Sequence, residues 1–258
     1  MMNPNELTLD DLRIGGFRLF QPKKGYRFSL DAPVLAALAP VTPGMSVLDL
    51  GCGGGVLSLL LLGQEPSLKM SGIELRQKAF DLAVRNMEYN RVDVRLVRGD
   101  AMKAASYFTP GSFDLILSNP PFYPADQCRL PKDEEVAAAK TELYWSQGIM
   151  MKQVFSLLKE GGRFALIFDA VRSEELLRLG RWAGLYPVSS RMIYTRRGEK
   201  KPKRVYLLLS KSAAPFVEEP PLVLYEKTGE ETPEMKRIFE IYHGTGTVSC
   251  GDAHREPR

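Results

Sequence analysis

Residues 46–55 read Ser-Val-Leu-Asp-Leu-Gly-Cys-Gly-Gly-Gly and run straight into a second apolar stretch, 56–62. Few arrangements accept such a segment. The first run has the length and composition of a buried strand, and the second starts a helix. Between them, glycines build a turn in which no Cβ keeps the backbone away from a ligand. Open parallel sheets bind ligands at the carboxyl ends of their strands, so this turn is the first place to expect a site.

The rest of the chain repeats the alternation. Further strands are expected at 69–75, 94–97, 113–117 and 163–168, with a helix over 76–90 whose inner face carries Ala79, Leu82, Ala83, Asn86 and Met87. A long helix-rich stretch, 134–159, leads to Gly161-Gly162, a pair that suits a helix C-cap. Ser173 fits an N-cap for a helix over 173–182, with Glu174 and Glu175 in the first turn. Two last strands, 191–195 and 205–209, flank a short basic loop and imply an antiparallel hairpin. The pattern predicts an α/β protein: a seven-stranded, mostly parallel sheet covered on both faces, ending in an antiparallel hairpin. Residues 1–40 read as an N-terminal extension, with a small hairpin around Lys23-Lys24-Gly25 joining 18–20 to 26–28, and a helix at 32–38. Residues 41–242 form the main domain, and 243–258 are expected to be a disordered tail.

Composition removes several classes of function. The longest apolar run, 56–62, is too short to span a bilayer, and the acidic start does not read as a signal peptide; a cytoplasmic protein is expected. Cys52, Cys128 and Cys250 lack the spacing of a zinc site or a disulfide framework, so no metal is expected. His243 and His254, the only histidines, stand near the C-terminus, which speaks against histidine acid–base chemistry. The net charge is only +4, but Arg191, Arg196, Arg197, Lys200, Lys201, Lys203 and Arg204 crowd one stretch. With Lys23 and Lys24 they form a candidate phosphate-binding surface; taken alone, the run is equally a solvated hairpin loop.

Three acids end three successive strands: Asp49 before the glycines, Glu74 and Asp100. A pyrophosphate would be repelled there. A cationic sulfonium cofactor would not, with Glu74 placed to receive ribose hydroxyls and Asp100 an adenine amino group. The fourth strand runs into Asn119-Pro120-Pro121-Phe122. Prolines fix the backbone and remove donors. The Asn119 oxygen and the Pro120 carbonyl can then accept both hydrogens of one amino group, while Phe122 offers a ring for a flat base to stack on, worth about 1–3 kcal/mol. Catalysis of this kind rests on orientation, which can contribute roughly 7–11 kcal/mol.

In that order, Asp-Leu-Gly-Cys-Gly-Gly-Gly, Gly-Ile-Glu-Leu, Arg-Gly-Asp-Ala and Asp-Leu-Ile-Leu-Ser-Asn-Pro-Pro-Phe-Tyr resemble the amino-methylating class I methyltransferases, which have a Rossmann-like fold. The flanks, Tyr26 to Ala32, Lys200 to Leu209 and the segments from Leu222 and Gly229, resemble the valine-tRNA adenine-N6 methyltransferase family over residues 10–242. The resemblance implies S-adenosylmethionine as cofactor and methyl transfer to the adenine just 3′ of a tRNA anticodon. It implies that Gly51, Gly53, Glu74 and Asp100 contact the cofactor, joined in the expected set by Asp31, Asp49, Cys52, Leu75, Ala101 and Asn119, and that Arg27 borders the site. Many members carry Tyr where Phe122 stands, and Asn-Pro-Pro-Phe is also usual in guanine-N2 methyltransferases of ribosomal RNA.

The alternatives are therefore that guanine activity, N5-methylation of a protein glutamine, and an RNA-binding module on a vestigial methyltransferase fold. The basic stretch favours RNA, expected to be tRNA, over a protein substrate. The three acids and Asn119 favour an enzyme over a module and disfavour a nucleotide-dependent oxidoreductase. A monomer is expected.

Overall fold

The computed structural model describes residues 6–25, 27–120 and 146–240. Among the described residues, nine strands make one sheet. They are β3 (Ser46–Leu50), β4 (Lys69–Glu74), β5 (Val94–Arg98), β6 (Phe113–Ser118), β7 (Leu158–Asp169), β8 (Tyr186–Arg196), β9 (Arg204–Ser210), β10 (Val217–Glu218) and β11 (Leu222–Tyr225). The seven expected strands lie in the order β5-β4-β3-β6-β7-β9-β8, with β9 antiparallel to both its neighbours. The two short strands β10 and β11, which the apolar pattern does not announce, add to β8.

The chain leaves β3 for β4 on one side and places β6 on the other, so the switch point of the sheet lies between β3 and β6. The central strands are buried on both faces, which is why they read as continuous apolar runs. Alternate residues feed two cores. Leu115, Leu117, Ala165 and Ile167 pack with helices α1 (Asp31–Leu38), α2 (Val56–Gln64) and α6 (Pro233–Glu240). Ile116, Phe164, Leu166 and Phe168 face α4 (Gln147–Leu157) and α5 (Ser173–Trp182). Helix α3 (Gln77–Asn90) covers β4 and β5.

Three local expectations need correction. The N-terminal hairpin joins β2 (Arg18–Pro22) to the upstream β1 (Leu7–Asp11), not to residues 27–28. The reversal is made by Gly15 and Gly16, both at positive φ, and Lys23–Gly25 instead lead out of the hairpin. Gly161-Gly162 does not cap a helix. Helix α4 ends at Leu157, and the glycines lie where Leu158 pairs with Phe113 but Arg163 already pairs with Leu115. Gly161 turns the chain at φ 73°, and a Cβ on Gly162 would come within 2.8 Å of the Lys159 carbonyl oxygen. Ser173 is not an N-cap: a 3-10 turn, Ala170–Arg172, precedes α5, and the Ser173 hydroxyl donates to the Ala170 carbonyl at 2.8 Å. Asp169 caps that turn, accepting from Val171 N, and the N-cap position of α5 itself is Arg172, with no side-chain cap. The first part of the stretch 134–159 and the tail 243–258 lie outside the described residues.

Candidate active site

The glycine turn takes its shape from β4. The N–H groups of Gly51 and Cys52 both donate to the Ile73 carbonyl at 3.0 Å, and Gly53 N–H donates to Glu74 Oε2 at 3.0 Å. Gly51, Gly53 and Gly55 all adopt positive φ. At Gly55 the restriction is also steric, since a Cβ would sit 2.4 Å from the Met87 methyl. At Gly53 nothing lies within 4 Å of that position, so the loop presents bare backbone to open space.

Two carboxylates converge beneath the turn. Asp49 is 1% exposed; Ser58 reaches its Oδ2 only at 3.5 Å, and its Oδ1 has no hydrogen-bond partner. Burial, and next the charge of Glu74, push the Asp49 carboxyl up from its ordinary 3.8 to about 7. Glu74 is 6% exposed, and its Oε1 accepts from both the backbone N–H and the Nε of Arg76. Crowded acids with one oxygen unsatisfied suit a ligand that brings positive charge and donors.

Asn119 lies across the switch point. Leu117 of β6 pairs with Asp49 of β3, and Ser118 Oγ donates to the Leu50 carbonyl at 2.8 Å, so the strand ends are tied together. Asn119 and Gly51 follow directly on these two ends. The Asn119 Oδ1 is buried and has no hydrogen-bond partner, and Pro120 is buried. Pro121 and Phe122 lie outside the described residues, as does the polar segment 126–140.

The remaining expected residues divide. Leu75 is exposed just past β4, and Asp100 caps the next turn by accepting from Met102 N at 2.9 Å, with Ala101 buried beside it. The Cys52 thiol does not face the open side. It is buried, the space above Gly72 is closed by its sulfur at 3.0 Å, and burial pushes the thiol up, reinforced by Asp49 and Glu74. Asp31, at the start of α1, accepts from Ser29 Oγ and lies 3.5 Å from Arg204 Nε at the start of β9. Arg27 turns away to Thr8, the Pro22 carbonyl and Asp10, which fastens the base of the Lys23–Gly25 turn.

The basic stretch is partly spent in ion pairs within the chain. Arg191 pairs with Glu234, Arg197 makes a two-toothed pair with Glu226, and Arg204 pairs with Asp31. Lys200, Lys201 and Lys203 are exposed, and Arg196 is exposed at the end of β8. Because β7 and β8 are both antiparallel to β9, they point the same way, and the 197–203 loop emerges at the edge that holds the glycine turn and Asn119. Lys23 and Lys24 emerge there too, since β2 runs against α3, whose N-terminus follows the end of β4.

Asn86 carries more weight than its place in the helix pattern suggested. It is fully buried, and its Nδ2 donates to the Gly54 carbonyl at 2.9 Å. The signal was present as a polar residue on an apolar face. A cavity of about 610 Å³ opens at the opposite edge, around Ser46, Lys69, Asp93 and Phe113, and includes none of the expected site residues. Among the described residues, no cluster of His, Cys, Asp and Glu could hold a metal, and no helix is long and apolar enough to cross a membrane.

A family profile described as methyltransferase small domain matches residues 31–172. The tRNA1(Val) (adenine(37)-N6)-methyltransferase of Tolumonas auensis is 29% identical over 230 residues, 88% of this chain and 94% of that relative. The Glaesserella parasuis protein of the same name is 28% identical over 221 residues, covering 84% and 90%. Among solved structures, a predicted O-methyltransferase from Agrobacterium tumefaciens superposes with a TM-score of 0.63 at 19% identity, covering 86% of this chain and 100% of that one. A methyltransferase from Pyrococcus furiosus gives 0.55 at 22%, covering 77% and 91%. At such identities the structural likeness speaks for the fold.

Proposed function

The chain belongs to the methyltransferase small domain family, and from that premise we propose that it methylates the exocyclic amino group of an RNA base, adenine N6 in a tRNA beside the anticodon. S-adenosylmethionine supplies an electrophilic methyl group carried on a sulfonium. The residues at the carboxyl edge suit that cofactor. Asp49 keeps an unsatisfied buried oxygen under bare glycine backbone, Glu74 closes β4 beside it, and Asp100 stands at the next strand end.

The observation that carries the reading is the orphaned Asn119 Oδ1 beside the glycine turn. A buried carbonyl left unpaired costs about 1–3 kcal/mol, and such groups persist where a ligand satisfies them. Together with the Pro120 carbonyl it makes an acceptor pair for one –NH₂. Holding both hydrogens directs the nitrogen lone pair away from the clamp. Because Asn119 starts where β3 and β6 are tied, that direction is set by two central strands rather than by a loose loop.

The relatives' names support adenine in tRNA, and the exposed lysines on the same edge support an RNA. The test is methylation of bulk tRNA with labelled S-adenosylmethionine, followed by nucleoside mass analysis. N6-methyladenosine is the expected product. N2-methylguanosine would replace the adenine assignment, and unlabelled nucleosides alongside label in glutamine when a protein extract is offered instead would replace the RNA.

A further inference from the structure

Helix α3 holds the N-terminal hairpin by a side-chain imitation of a β-ladder. The Asn90 amide accepts from Arg18 N at 2.8 Å and donates to Arg18 O at 2.7 Å. One turn earlier, the Asn86 amide accepts from Phe20 N at 2.7 Å and donates to Phe20 O at 3.2 Å. The spacing explains why this works. Four helical residues advance about 6.0 Å, and two strand residues about 6.6 Å. Asparagines at i and i+4 therefore meet alternate residues of an extended edge, each offering one donor and one acceptor to a backbone that wants both. The edge of β2 that β1 does not cover is satisfied in this way.

The two amides differ in one respect. The second Nδ2 hydrogen of Asn90 goes to the Asn86 carbonyl within the helix, whereas that of Asn86 goes to Gly54 O in the cofactor turn. One fully buried amide thus bonds at once to the glycine turn and to the strand that leads to Lys23–Lys24.

We propose that Asn86 is a positioning residue that couples the glycine turn to the N-terminal hairpin, so that ordering the turn around the cofactor also seats the hairpin on the edge where RNA approaches. This rests on the methyltransferase reading above. A ligand that fixes Gly53–Gly55 fixes one partner of the Asn86 amide, and the remaining partner, Phe20, opens less often. By linkage, seating the hairpin in turn favours the cofactor.

The test is hydrogen exchange at single amides. In the wild-type chain, saturating S-adenosylhomocysteine is expected to slow exchange of Phe20 N–H by about 5-fold or more, the lower end of typical coupling between sites. Asn86→Asp removes both donors and sets a carboxylate against two carbonyls, and in that variant the response at Phe20 is expected to vanish. Asn90→Asp loosens Arg18 but should keep the response at Phe20. The ring of Phe20 still packs under Arg85 at 4.1 Å and against Tyr89 at 5.1 Å, which keeps the hairpin docked in both variants.

Unchanged Phe20 exchange in the wild-type chain, despite calorimetric binding of S-adenosylhomocysteine, would overturn the coupling and leave the enzyme reading intact. A full response in Asn86→Asp would do the same. Failure of S-adenosylhomocysteine to bind the wild-type chain would sink the reading and the coupling together. Should Asn86→Asp not fold, the wild-type chain still decides by comparison: slowing at Phe20 N–H that exceeds the slowing at Arg18 N–H, which Asn90 holds, supports the coupling, and equal slowing of both, as global stabilisation by the ligand would give, overturns it.

Discussion

Asn119 and Asp49 each leave a buried oxygen unpaired a few residues from the ends of adjacent strands. Replacing Asn119 by Ala removes an acceptor that the fold itself does not use. Its turnover is expected to fall by about 10²–10³-fold, as for loss of one preorganised polar contact, while the cofactor dissociation constant stays within about 2-fold and the melting temperature does not drop. Calorimetry, single-turnover rates and a melt check all three. Asp49 gives a pH-dependent outcome. Its carboxyl is raised in the folded chain to about 7 from an ordinary 3.8, so between those values the folded state holds a proton that the unfolded state has lost. Stability therefore falls as pH rises through this window, by up to about 4 kcal/mol. Asn cannot ionise, so Asp49→Asn is expected to be more stable than the wild-type chain at pH 8, to lose that advantage near pH 4, and to bind S-adenosylmethionine more weakly. Denaturant melts at several pH values read the first part and calorimetry the second. Both residues stood out in the sequence by position. What the sequence could not show is that their oxygens are left without partners, because hydrogen bonding belongs to the folded neighbours.

At the scale of elements, the β8–β9 hairpin puts its basic loop at the same edge as the glycine turn because β9 runs backwards. Charge replacement of Lys200, Lys201 and Lys203 by Gln is expected to weaken tRNA binding without changing cofactor affinity. The slope of log affinity against log salt should shrink by about 2, three single-strand phosphate contacts at roughly 0.7 each. Filter binding across a salt series checks it, and an unchanged slope would remove the loop from the RNA surface. The two arginines that look most alike in the sequence separate here: both are exposed, but Arg197 is paired with Glu226, while among the described residues Arg196 makes no ion pair. The partner acid lies 29 residues away, so charge counting along the chain could not tell them apart. The same holds for the N-terminal hairpin. Gly15-Gly16 was as visible as Lys23-Lys24-Gly25, but the choice of β1 as partner depends on α3 receiving the far edge of β2 through Asn86 and Asn90.

For the whole molecule, the candidate site lies at the switch point of one sheet, and its glycine turn, acids and Asn119 are contributed by four strand ends. Ligand binding should therefore brace the central strands against global unfolding. S-adenosylhomocysteine at 100 times its dissociation constant is expected to add about 2.7 kcal/mol, read as a rise of roughly 5–10 °C in melting temperature. A scan with no shift would mean that the turn holds no such ligand. The alternation of seven strands with helices over residues 46–209, the glycine turn and the strand-end acids were determined by the sequence alone, because they follow from local periodicity and from residues whose backbone demands are their own. The tertiary structure decided which cations are already paired, which amide bridges the hairpin to the turn, that Cys52 faces inward and that Asn119 and Gly51 follow on neighbouring strand ends. Those depend on contacts between segments far apart in the chain, and only the packed sheet brings them within reach of one another.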